Sequence, residues 1–269
     1  MLERRMLILV STLFVFLASA VLWNAFVHPA ADASASATPA PAPAESLAAA
    51  VAPAAPPPLP VQPPPAAVGG PSYIVLLARS EIRRRIRASA GLTYLNDILV
   101  ASGDSALHRW DGRVRTPVRV SLTAVTVANF QPGFLDAVRS AFQRWQDAGV
   151  PVRFNFDADS ASAEVRFRWR IQFEGERSGL TELQWDDEGR LTEGVITLAT
   201  FDPKGQPLGP DDVRVMALHE VGHLLGLDHS PDPGDVMYAQ PQVRDLSPRD
   251  IATVLLLYDL APGTLRVGG

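Results

Sequence analysis

The chain is 269 residues long, with 29 acidic residues against 24 lysines and arginines, a net charge of −5 and no cysteine. That balance offers no basic footprint for nucleic acid, and no such partner is expected. Without cysteine there are no disulfides, no thiolate metal ligands and no lipidated lipoprotein anchor, while the compartment stays open.

Arg4 and Arg5 precede an apolar run from Met6 to Val27, and the next lysine or arginine is Arg79. This asymmetry holds the N-terminus in the cytoplasm and places the rest of the chain outside. The run is long enough to span a bilayer as an uncleaved anchor. Ala18-Ser19-Ala20, after a shorter apolar core, is also a signal-peptidase site. Apolar residues continuing through Val21, Leu22, Trp23, Phe26 and Val27 favour a transmembrane anchor over residues 1–27, with a secreted chain as the alternative. Residues 28–71 are almost all alanine, proline and serine, too poor in large apolar groups to offset ordering entropy, and read as a disordered linker.

Residues 72–106 form an N-terminal extension. Ala78 to Ala90 predicts a helix with Arg79, Arg83, Arg84, Arg85 and Arg87, and with Ile82 and Ile86 at helical spacing. Three readings stay open: a pro-segment, a basic patch for anionic lipid, or a helix packed on the domain after it. That domain, residues 107–269, reads as α+β. Val118 to Leu122 alternates as a strand; Phe134, Val138, Ala141 and Trp145 mark an amphipathic helix from Pro132 that stops at Gly149. Val152 to Phe156 and Ala163 to Ile171 alternate again, with Val165, Phe167, Trp169 and Ile171 on one side. Leu180 to Trp185 and Val195 to Thr200 flank Asp186-Asp187-Glu188-Gly189 and predict a hairpin. Pro210-Asp211-Asp212 opens a helix with acids at its positive end. Ser247-Pro248-Arg249-Asp250 caps a closing helix, with Ile251, Val254, Leu255 and Tyr258 on one face.

The chemistry concentrates in His219-Glu220-Val221-Gly222-His223-Leu224-Leu225-Gly226-Leu227-Asp228-His229, the pattern H-E-x-x-H-x-x-G-x-x-H. Chance agreement at five fixed letters in a chain of this length is on the order of 10⁻⁵. On a helix His219 and His223 project from one face and share one ion. Gly226 suits the left-handed conformation that ends helices, so the chain doubles back and brings His229 to the same point. Three neutral imidazoles and an open position form the ligand set of one catalytic zinc. Glu220, one step from His219, reaches a water there as general base without ligating the metal.

With Ser230 after the third histidine and the turn-rich run Pro231-Asp232-Pro233-Gly234-Asp235-Val236-Met237-Tyr238, the segment resembles the matrixin branch of metzincin metallopeptidases. The resemblance implies a metzincin fold with a mixed, twisted five-stranded sheet and three main helices. It assigns Met237 to the Met-turn, an apolar floor beneath the ligands. Tyr238 lines the pocket, assists the oxyanion or simply packs. The implied activity is zinc-dependent endopeptidase hydrolysis of proteins outside the cytoplasm, by a single chain whose strand Leu180 to Trp185 pairs with extended peptide. A catalytically silent, zinc-stabilised peptide- or envelope-binding module is the alternative. Several family features are missing. No cysteine is present to block the zinc, so any latency needs another mechanism. With only His28 and His108 left over, a second zinc is not expected. Calcium has candidate acids at Asp157, Asp159, Asp186, Asp187 and Glu188, but acidic hairpin turns are ordinarily solvated. Arg249 stands where the family often has the first of two adjacent acids that receive a processed N-terminus, and Asp250 keeps the second.

Overall fold

Alternating strands with one buried face need helices to cover them, and the chain supplies both in sequence. The computed structural model describes residues 71–101 and 105–265, all within a compact unit spanning residues 63–269. The anchor or signal helix expected over 1–27 and the linker over 28–71 lie outside the described residues, apart from Pro71. Among the described residues no helix is long and apolar enough to cross a membrane.

Five strands form one mixed sheet. β2 (Val118–Ser121) pairs in parallel with β3 (Phe154–Asn155) and β4 (Val165–Arg170). β4 pairs in parallel with β6 (Leu191–Ala199), and β5 (Gly179–Trp185) runs antiparallel to β6 at the edge, giving the order β3-β2-β4-β6-β5. A second, two-stranded sheet joins β1 (Ala106–Leu107) to β7 (Gly263–Thr264). The expected hairpin of β5 and β6 forms, with β6 starting at Leu191, four residues before the expected Val195. Gly189 (φ +79°) closes it, donating to the Asp186 carbonyl at 2.9 Å. Two strand expectations need correction. β3 is two residues long rather than five, and β4 stops at Arg170, leaving Ile171 53% exposed instead of on the buried face with Val165, Phe167 and Trp169.

Helix α3 (Gly133–Asp147) buries Phe134, Val138, Ala141, Phe142 and Trp145. Each large apolar side chain so buried contributes about 1.5–3 kcal/mol. Phe142 meets Phe167 of β4 at 5.8 Å between ring centroids, and Phe134 stacks on Trp169 at 5.7 Å. Against α3 packs α4 (Pro210–Leu224), where the Trp145 indole N–H donates to the Leu218 carbonyl at 2.9 Å. The apolar face of the closing helix α5 (Pro248–Asp259) is rotated from the expected one. Val254 is buried with Asp250, Thr253 and Leu257, whereas Leu255 is 39% exposed.

The rotation has a cause in the N-terminal extension. Two helices occur there, α1 (Tyr73–Ala88) and α2 (Leu95–Ala101), with α1 starting five residues before the expected Ala78 because Ser72 caps it. Ile86, Tyr94, Leu95 and Ile98 from this segment enter the same core as α3, α4 and α5. Asp250 and Thr253 therefore face Tyr94, whose hydroxyl and amide they accept at 3.0 Å and 3.2 Å.

Candidate active site

α4 ends at Leu224, and the chain reverses through a Schellman arrangement. The Gly226 amide donates to the His223 carbonyl at 2.8 Å, and the Leu227 amide to Gly222 at 3.1 Å. Gly226 has φ +99°, and a Cβ there would collide with the carbonyl oxygen of His108. Glycine is thus demanded twice, by backbone conformation and by space. The indole N–H of buried Trp110 donates to Leu224 at 2.8 Å and satisfies one of the last carbonyls of the helix.

The reversal brings His229 to His219 and His223, with ring centroids 4.7–5.2 Å apart and one nitrogen of each ring within 4.8 Å of the others. The hydrogen bonds fix two tautomers. His219 Nδ1 lies 2.8 Å from the Val236 carbonyl and His223 Nδ1 2.8 Å from that of Leu227. A carbonyl only accepts, so each Nδ1 carries the proton and each Nε2 presents a bare lone pair. Those Nε2 atoms face one another at 3.1 Å. Two acceptors so placed repel unless a cation lies between them, so the residues present fit a metal ion. Burial above all, reinforced by the neighbouring imidazoles, lowers the pKa of His219 to about 3. Burial likewise brings His223 to about 4, so both rings are neutral at pH 7, the ligand form.

Glu220 sits beside this triad without joining it. Its carboxyl is pushed up to about 7 by burial, against the lowering effects of the Thr181 hydroxyl and the Arg177 charge. Thr181 on β5 donates to Glu220 Oε2 at 2.6 Å. A Cβ on Gly179 would collide with the same carboxylate. Edge strand β5 therefore clamps Glu220 from above with a hydroxyl and a missing side chain.

Below the three histidines runs the turn from Ser230 to Tyr238. The Ser230 amide donates to the Met237 carbonyl at 2.8 Å. Met237 is fully buried, and its sulfur occupies the space that a Cβ on Gly222 would need. Asp235, 2% exposed, accepts from the Ser230 and Ser247 hydroxyls. Arg249 pairs with Asp232 at 3.0 Å and Asp235 at 3.5 Å, so the residue in place of the family's first acid ties the turn to α5. Asp250 accepts from the Val236 amide at 2.8 Å.

A cavity of about 1130 Å³ opens over the triad between β5 and α4, with Gly179, Thr181, Leu183, Met216, Glu220 and Leu227 among its walls. His108, whose ring lies 4.2 Å from that of Trp185, also lines it. Tyr238 is half-buried and is not among the lining residues. Of the calcium candidates, Asp186 is engaged by Arg190 at 2.8 Å. Thr181, Gly179, Gly222, Trp110 and Asp235 went unmarked in the sequence, because each acts through a contact distant along the chain. Gly222 and Asp235 had one local signal, standing inside the histidine motif and the turn.

The family model described as Matrixin matches residues 121–259. Among curated relatives, Metalloendoproteinase 1-MMP of Arabidopsis thaliana is 31% identical over 137 residues, which cover 46% of this chain and 37% of that protein. Matrix metalloproteinase-19 of Homo sapiens is 28% identical over 147 residues (48% and 27%), and Matrilysin of Felis catus 48% identical over 59 (20% and 22%). The chain therefore spans less than two fifths of the length of these relatives.

Proposed function

Because the chain belongs to the matrixin family, we propose that it is a zinc-dependent endopeptidase acting on proteins outside the cytoplasm. The carrying observation is the triad of His219, His223 and His229, with two bare Nε2 atoms 3.1 Å apart and Glu220 beside them in an open cleft. These three residues would hold the ion. Zinc, when bound, supplies a Lewis acid that polarises the peptide carbonyl and brings the pKa of water towards 7.

Glu220 takes a proton from the attacking water and returns it to the departing amine. A carboxyl near 7 suits both transfers at neutral pH. The Thr181 hydroxyl holds Oε2 of that carboxyl. Among the described residues β5 is the terminal strand of the sheet, so its outer edge offers pairing to an extended peptide main chain. Met216 and Leu227 give the cleft an apolar wall for a substrate side chain. Met237 is the floor of the ligand set. Export rests on Arg4 and Arg5 before the apolar run of residues 6–27, with tethering through residues 1–27. A silent binding module would have no use for a desolvated carboxyl held in the cleft.

Glu220→Gln tests this reading. It keeps one zinc per chain by metal analysis and lowers kcat/KM on a generic peptide substrate by about 10²–10⁴. Undiminished cleavage by the variant would remove Glu220 as the base.

A further inference from the structure

A hydrogen-bond chain reaches the metal site from outside the family-matched residues 121–259. We infer that Tyr94, between α1 and α2, is a positioning residue for His219, and that residues 73–101 permanently buttress the metal site. The inference rests on the proposed role of His219 as a metal ligand.

Tyr94 is 0% exposed, and its hydroxyl lies 3.0 Å from Asp250 Oδ1. A carboxylate only accepts, so Tyr94 donates. The other oxygen, Asp250 Oδ2, accepts the Val236 amide at 2.8 Å and the Ser247 amide at 2.9 Å. Val236 in turn accepts from His219 Nδ1 through its carbonyl. One buried carboxylate thus couples the extension to Val236, the residue whose carbonyl orients the first imidazole. Take the Tyr94 hydroxyl away, and Asp250 Oδ1 keeps only the Met237 amide at 3.4 Å. The carboxylate then turns to regain a partner and draws the Val236 peptide with it.

The attachment is unlike that of a segment built to leave. The Tyr94 amide donates to Thr253, the Arg249 guanidinium lies 5.7 Å from the Tyr94 ring centroid, and Arg85 pairs with Asp259. Releasing it would also uncover Ile86, Leu95 and Ile98 from the shared core.

Full-length protein loaded with zinc is mixed with excess chelator, and zinc release is timed at a temperature where circular dichroism shows every variant folded. Tyr94→Phe keeps the buried ring and speeds release about 3- to 30-fold, somewhat below the 10- to 100-fold typical of direct partners of ligands. Ile98→Val, which loosens the same segment without touching Asp250, stays within about twofold of wild type. If Tyr94→Phe does not fold, Thr253→Val replaces it; losing the backbone anchor of Tyr94 gives a smaller acceleration. Unchanged release in the Tyr94 variant, or in Thr253→Val where it stands in, overturns the inference. Equal acceleration in Ile98→Val also overturns it, since that would be general loosening. Wild-type protein that takes up no zinc would instead fail the metal reading itself.

Discussion

The two sides of the histidine triad are built differently. His219 is 6% exposed on a helix packed against α3, and its Nδ1 proton is committed to Val236. His229 is about half exposed, on a loop after the helix, with its amide held by the Asp228 carboxylate at 2.7 Å. One side is fixed by core packing before any ion arrives. The other depends on a single backbone reversal. Pre-organisation of two histidines would remove most of the ordering cost of binding an ion, while the third keeps an exposed edge to the cleft.

The largest effect should come from the reversal. Gly226→Ala forces a side chain into φ +99° and against the His108 carbonyl. It should cost about 2 kcal/mol or more in denaturant unfolding and displace His229 enough to weaken zinc binding. Wild-type stability and zinc affinity in this variant would break the comparison. Next, His219→Ala and His229→Ala should both lose zinc yet differ in the metal-free protein. His219→Ala leaves the buried Val236 carbonyl unpaired and should cost about 1–3 kcal/mol. His229→Ala should cost less than about 0.5 kcal/mol. Equal losses in metal-free unfolding would show that the two sides are not built differently. A narrower test touches the helix end alone: Trp110→Phe removes the donor to the buried Leu224 carbonyl and should cost about 1–3 kcal/mol in unfolding, with the cleft unchanged.

Much of the site was legible because it is local. His219, Glu220 and His223 stand within five residues on one helix, where 3.6 residues per turn dictate their mutual placement. Gly226 and Met237 were readable for a similar reason, a backbone reversal and the short turn after it. β5 was placed to within one residue at each end and the alternating β4 to within two, whereas β6 begins at Leu191, four residues before the expected Val195. The weaker readings came where burial depends on a remote partner. Ile171 continues the pattern of β4, yet the sheet ends before it. Leu255 fits the helical stripe of α5, yet the face that is buried is the one meeting Tyr94.

The sequence by itself determined the spacing of the three histidines, the adjacent carboxyl, the α+β alternation and the kinship with matrixins. Periodicity and backbone conformation act between near neighbours, and near neighbours are what a sequence displays. Only the tertiary structure decided that Thr181 and Gly179 grip Glu220, that Trp110 completes the helix end, and that residues 73–101 share the core of the metal site. Those contacts join segments 39 to 174 residues apart, and pairing at such separations is selected by the packing of the whole core rather than by any local pattern.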